Sequence, residues 1–404
     1  MMKKTTLKLP RASEGMINTP AALAEVCEHL GAAKVFGFDT EFISESSYRP
    51  VLCLVQVATD ERAELIDPLA VKDLGPLWDL LADPTIEKIC YAGDQDLAIA
   101  WQMGRRKPQN VFDCQIGAGL VGIGYQEAYW RLVEMVAGIK LGKAHTYSDW
   151  GRRPLSKAQL TYALDDVLYL PEIHRMLRGR LESLGRMDWM REACREVCEK
   201  AATDLDPETV FANIKGASKL NSQQLSVLRE LTILREQMAC EQNVPARVML
   251  RDEALMELAA TGPETEVRLS RIRSVPGPKA DRYGDQIIGA VKRGKAVPAD
   301  QRPYLPPIME DSTETKQLSE IMYASSQVIC LGQSVSPNLV TNQAKIQGLA
   351  RLISQGQDLS GHALMSGWVR ECLGAPLIDF VRGNTGLALN VKQGRMHAEF
   401  EASD

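Results

Sequence analysis

Three apolar, strand-length runs follow one another early in the chain: Val35–Phe42, Val51–Ala58 and Ala63–Asp67. The connections between them are too short to carry a crossover helix, so the three are expected to pair antiparallel as a meander. Leu74 to Leu81 then reads as a helix, and Ile86 to Ala92 as a fourth strand. That strand is reached through a helix and can lie parallel to the first. Leu97 onward reads as another helix, Val111–Asp113 as a short fifth strand, and helices dominate from Cys114 to about Lys200. This order specifies an α/β fold, a mixed five-stranded sheet with helices on its faces. Upstream, Thr19 caps a helix with Pro20 at its first position, Leu23, Val26, Cys27 and Leu30 at helical spacing, and Gly31 as the expected stop.

The first strand carries acids where apolar residues are expected. Alternation puts Asp39 and Glu41 on one face and Phe38, Thr40 and Phe42 on the other. Two adjacent carboxylates on a core strand repel each other and are costly to desolvate unless a cation sits between them. A hard divalent ion, which takes oxygen ligands, is the simplest such cation. Alone the pair is weak: 52 acids in 404 residues give such spacing by chance roughly seven times. Two later positions bear on it. Asp94 suits the cap of the helix after the fourth strand, and Asp96 falls in its first turn, where a favourable interaction with the helix dipole would also account for it. Tyr162 and Asp166 stand one turn apart on a helix that begins near Ser156, either as part of a site or as a polar edge facing water. Asp165, turned about 100° away, suits the solvent-facing edge.

The second half changes character. After Pro207 strand-like alternation gives way to amphipathic helices. Leu225, Leu228, Leu231, Leu234 and Met238 line one face of a helix opened by Asn221 or Ser222. A further helix starts near Asp252, and another follows Val275-Pro276-Gly277 and ends near Lys295. From Glu264 to Val297 eight basic residues face four acidic ones, a local charge of +4 in a chain whose net charge is −5. The overall charge excludes wholesale electrostatic capture of nucleic acid, so any such partner must be held by local basic patches. Pro298 to Pro307 reads as a linker into a second, acidic helical set. Nine scattered cysteines without a C-x-x-C read as buried thiols of a reducing compartment. No secretory signal and no membrane-spanning run is expected, and a cytoplasmic location is the corresponding expectation. The five histidines show no ligand spacing, and nothing resembles a Ser-His-Asp constellation.

Asp39-x-Glu41, then Asp96, then Tyr162-x3-Asp166, resembles the three exonuclease motifs of the DEDD superfamily in its tyrosine variant. The flanking words resemble the ribonuclease D family more closely still: Phe38-Asp39-Thr40-Glu41-Phe42, Leu65-Ile66-Asp67-Pro68-Leu69, Ala92-Gly93-x-x-Asp96-Leu97, and Ser148-Asp149-Trp150-x-x-Arg153-Pro154-Leu155 through Gln159 to Tyr162-Ala163. The likeness covers roughly residues 15 to 185. Lys215 to about Lys295 resembles the helicase-and-RNase-D C-terminal (HRDC) domain, and residues 308 to 395 a diverged second copy. One departure is Asp165, where a small residue is commoner in the family.

The resemblance implies a ribonuclease H-like exonuclease domain over 1–203, HRDC-like all-α domains over 204–297 and 308–398, a linker at 298–307 and a tail at 399–404. It also implies a 3′→5′ exoribonuclease that releases nucleoside 5′-monophosphates and trims tRNA precursors and other RNAs. Asp39, Glu41, Asp96 and Asp166 would hold two Mg2+ or Mn2+ ions about 4 Å apart, one for the attacking water and one for the leaving 3′ oxygen. Tyr162 would orient that water, because a phenol with a pKa near 10 is a poor base. RNA contacts are expected at Lys143, Arg153, Arg271, Arg273, Lys279 and Arg282, with no obligate protein partner. DNA as substrate, or an inactive nucleic-acid-binding protein, are the alternatives.

Overall fold

The structure, a computed structural model, describes residues 9–141, 149–204, 206–306, 310–392 and 395–402. The chain divides into two compact units. One is built from residues up to Glu41, Leu52–Thr203 and the chain from Asp311 on; the other from Phe42–Val51 and Asp204–Glu310.

In the first unit the chain runs β1 (Arg11–Ile17), α1 (Pro20–Ala33), β2 (Val35–Ile43), β3 (Val51–Ala58), β4 (Arg62–Ile66), α2 (Gly75–Ala82), β5 (Glu87–Cys90), α3 (Asp94–Gly104) and β6 (Val111–Asp113). It continues through α4 (Cys114–Leu120), α5 (Tyr129–Ala137), α6 (Lys157–Leu168), α7 (Leu170–Ser183) and α8 (Met187–Ala201). The strands form one mixed sheet in the order β1-β4-β3-β2-β5-β6. β3 and β4 are antiparallel, while β2, β5 and β6 run parallel, as expected of strands joined through helices. The sheet has six strands rather than the expected five. The additional β1 pairs in parallel with β4 at the edge, with a register shift between Ala12 and Met16. Only Ile17 of β1 is buried, so the strand carries no apolar alternation to betray it. Thr19 caps α1 by accepting from the Ala22 N–H at 3.3 Å. The helix runs past Gly31 and stops at Lys34, which takes the left-handed conformation instead.

The C-terminal chain is not helical throughout. Helices Thr313–Gly332, Gln343–Ser354 and Ala375–Val381 are followed by an antiparallel hairpin, β7 (Thr385–Lys392) with β8 (Arg395–Ala402). The hairpin replaces the expected helical end and tail. Its sequence alternates with period two through Leu387, Leu389 and Val391, a short signal next to long helices. This C-terminal set shares a core with the α/β part: Met322, Ile329, Cys372 and Leu373 pack in one cluster with Leu120, Leu132, Val167 and Leu170. The Ser336 N–H donates to the Gly119 carbonyl at 2.8 Å, and Trp189 Nε1 to Glu371 Oε2 at 2.9 Å.

In the second unit the helix Ser222–Gln242 opens on an Asn221–Gln224 capping box, and Leu225, Leu228, Leu231, Leu234 and Met238 are buried as expected. The helix Gly277–Ala296 lies so close that a Cβ on Gly294 would stand 2.4 Å from Val227 Cα. Arg235, buried in this unit, pairs with Glu236 at 3.2 Å and with Asp252 at 2.6 Å, and Tyr48 donates to the same Glu236 at 3.1 Å. Among the described residues no helix is long and apolar enough to cross a membrane.

Candidate active site

β2 passes through the middle of the sheet with Phe36 and Phe38 fully buried, and Gly37, Asp39 and Glu41 alternate to the opposite face. A Cβ on Gly37 would meet the Leu170 side chain at 3.0 Å, so the start of α7 presses onto the carboxylate face. α6, the helix immediately before it, brings in Asp166. Its Ser156 and Gln159 form a reciprocal capping box that fixes the helix start. One oxygen each from Asp39, Glu41 and Asp166 falls within a group whose members all lie within 4.8 Å of one another. One turn before Asp166, the Tyr162 hydroxyl donates to its carboxylate, and the Tyr162 ring packs on Trp150 with centroids 6.1 Å apart.

Asp96 stands beside this group of three rather than within it. It is buried in the first turn of α3, where its Oδ1 accepts from the Thr40 hydroxyl. The cap of α3 is Gly93, not Asp94, which lies one residue inside the helix. A side chain at 93 has no room: a Cβ there would be 2.5 Å from Cys90 Sγ. The sharp exit from β5 places Ala92 in the left-handed region. Buried Asp113 braces it, accepting from the N–H groups of Ala92 and Gly93 at 3.0 Å each and from Gln115 at 2.8 Å. Asp113 thus positions Asp96 through the backbone. In sequence Asp113 reads as a strand end, although an aspartate directly before a helix is an N-cap signal.

The carboxylates are crowded against one another. Burial, then the charges of Asp96, Asp166 and Glu41, hold Asp39 well above the usual carboxylate range. Burial and then Asp166 and Asp96 push Glu41 up to about 8. Burial and then the neighbouring Asp165 raise Asp166 to about 7, and burial raises Asp96 to about 6. Asp165 is therefore no bystander on a solvent edge: it is half-buried and adds its charge to the site. Four acids that resist ionisation together suit a divalent cation, which would reverse each of these shifts. Burial, then the charges of Asp166, Glu41 and Asp39, push half-buried Tyr162 above its ordinary value, so its hydroxyl keeps its proton at neutral pH.

The expected RNA contacts fare differently. Lys143 lies outside the described residues. All five N–H donors of Arg153 are engaged: with both oxygens of Asp67 at 2.7–2.8 Å and with the carbonyls of Cys53, Trp150 and Arg152. None remains for a phosphate, so Arg153 ties its loop to the sheet instead. In the second unit Lys279 donates to the carbonyls of Val248 and Met249, while Arg271, Arg273 and Arg282 are exposed. Arg273 and Lys279 line an open cleft with Arg247 and Arg251.

Residues 15–182 match the family model of a 3′-5′ exonuclease, and residues 224–291 match that of the HRDC domain. Ribonuclease D of Nitrobacter hamburgensis is 33% identical over 385 residues, 94% of this chain and 98% of the relative. Ribonuclease D of Gluconacetobacter diazotrophicus is 36% identical, covering 94% and 93% respectively. The crystal structure of Escherichia coli RNase D, an exoribonuclease involved in structured RNA processing, superimposes with a TM-score of 0.81 at 27% identity, over 92% of this chain and 99% of that one.

Proposed function

Because the chain belongs to the ribonuclease D family, we propose that it is a cytoplasmic 3′→5′ exoribonuclease whose Asp39, Glu41, Asp96 and Asp166 hold two Mg2+ or Mn2+ ions. The observation that carries this reading is the convergence of Asp39, Glu41 and Asp166, from segments far apart in sequence, onto one group of oxygens within 4.8 Å. Carboxylate oxygens fit a hard cation, whose charge would offset the burial and mutual repulsion that raise the pKa values of this set. Bound divalent ions would supply the charge neutralisation that phosphoryl transfer needs and would favour ionisation of an attacking water.

The chain's own groups have separable tasks. Asp39 and Glu41, fixed on a central strand, form the rigid floor. Thr40 and the Asp113-braced turn hold Asp96 in place beside it. Tyr162 stays protonated and is held by Asp166 and Trp150, so it acts by orienting the attacking water and not as the base that removes its proton. The product is a nucleoside 5′-monophosphate, released one at a time from a free 3′ end. The basic helix of the second unit, with Lys279 and Arg282, and the segment before it, with Arg271 and Arg273, support an RNA-holding role there. The nine free thiols fit a reducing compartment.

The test compares single-stranded RNA, single-stranded DNA and a tRNA precursor, each with Mg2+ and with chelator. Shortening of the RNA and the precursor from their 3′ ends, dependent on Mg2+, is expected. Preferential digestion of DNA would overturn the assignment of RNA as substrate.

A further inference from the structure

One polar group beside the carboxylates is not used by the reaction as described. Tyr129 opens α5, and its ring packs on that of Tyr91 with centroids 5.2 Å apart and planes tilted by 58°. Tyr91 directly follows β5, which runs parallel to β2 with Ile89 opposite Gly37. Tyr91, just past the end of β5, stands two residues beyond Ile89 as Asp39 stands two beyond Gly37, and alternation carried past the strand end puts it on the face of Asp39. The ring of Tyr129, tilted against Tyr91, therefore lies on the side of the sheet that carries the carboxylates. Its hydroxyl oxygen is shielded from solvent and has no hydrogen-bond partner among the described residues. Burial, and then the charge of Asp166 and, more weakly, that of Asp39, oppose its ionisation, as expected of a phenol close to both.

The neighbouring hydroxyls are all committed. Tyr91 donates to the Glu127 carbonyl at 2.5 Å, Thr40 to Asp96, and Tyr162 to Asp166. The other polar side chains of the site are carboxyl groups, which only accept once ionised. A buried donor left without an acceptor is costly, and an incoming phosphate brings oxygens that can only accept. Building on the exonuclease reading above, we propose that Tyr129 is a substrate-positioning residue that donates to a non-bridging oxygen of the 3′-terminal nucleotide's phosphate.

The probe is AMP, the form in which the terminal nucleotide leaves. Its affinity is measured by calorimetry in Mg2+ for the full-length protein, for Tyr129→Phe and for Tyr91→Phe. Mn2+ affinity without nucleotide and the unfolding midpoint are measured on the same samples. Tyr129→Phe should weaken AMP binding about 10- to 100-fold, the range for a hydrogen bond to a charged group. It should leave Mn2+ affinity within about twofold and should not lower the unfolding midpoint, because the hydroxyl removed has no partner to lose. Tyr91→Phe, whose hydroxyl serves Glu127 and Gln115, should bind AMP like the unmodified protein. Unchanged AMP affinity in Tyr129→Phe, or no AMP binding by the unmodified protein, overturns the proposal. So does a parallel loss of Mn2+ affinity, which would assign the hydroxyl to the carboxylates. Tyr129-dependent AMP binding by a protein that leaves RNA intact would sustain this inference and sink the exonuclease reading instead.

Discussion

Replacing Glu41 with glutamine should make the metal-free protein more stable while removing its metal binding. Glu41 is raised from an ordinary 4.5 to about 8 by burial and by Asp166 and Asp96. A group whose folded pKa lies above its unfolded value favours the folded state most at low pH, and that advantage is lost as pH rises through the window between the two values. Between about pH 4.5 and 8, the folded chain thus becomes progressively less stable relative to a Glu41→Gln variant. The full shift corresponds to about 5 kcal/mol, and water reaching these half-buried carboxylates screens it to about 1–2 kcal/mol. Urea unfolding in chelator at pH 5, 6, 7 and 8 measures it: the variant's advantage should grow with pH and level off near 8. Added Mg2+ should reverse the ranking, since only the intact site gains stability by binding. A variant that is less stable at pH 8 in chelator, or whose advantage does not change with pH, would refute the electrostatic account of the site.

Three further outcomes follow from the same structure. Arg153→Met leaves Asp67, only 5% exposed, without its cation, and should cost about 3 kcal/mol in chemical denaturation while leaving the salt dependence of RNA binding unchanged. Gly294→Ala drives a Cβ against the Val227 backbone and should lower stability by about 1–3 kcal/mol, read as a fall in the urea midpoint at constant m. Replacing Arg271 and Arg273 together with glutamine should weaken RNA binding uniformly across sequences and reduce the salt slope by about 2, as fluorescence anisotropy at several salt concentrations would report.

The sheet was legible where apolar runs met short connections: β2, β3, β4, β5 and β6 all stand close to where periodicity puts them. β1 was not, because an exposed edge strand such as Arg11–Ile17 has no buried face to impose alternation. Strand and helix periods place the candidate-site residues Asp39 with Glu41 and Tyr162 with Asp166 on common faces, but each pair alone is a weak signal, and only the resemblance joined them into one set. Arg153 was misread because a cation in a loop looks the same in sequence whether it faces a phosphate or a buried carboxylate 86 positions away. Asp113 and Tyr129 escaped for a related reason. The bracing by Asp113 and the role proposed for Tyr129 depend on which turn or ring lies beside them, and sequence spacing does not encode that. Nor does amphipathicity name the partner surface, so the packing of Met322 and Leu373 with Leu120 and Leu132 had no signal of its own.

The most direct test of the central claim follows a 5′-labelled RNA over time with Mg2+, with the unmodified protein and with Asp39→Asn, and repeats it on the same RNA carrying a blocked 3′ end. The account predicts a ladder shortening one nucleotide at a time, with nucleoside 5′-monophosphate as product, no shortening of the blocked RNA, and loss of the reaction in Asp39→Asn. Digestion of the blocked RNA, or undiminished activity in Asp39→Asn, would contradict it.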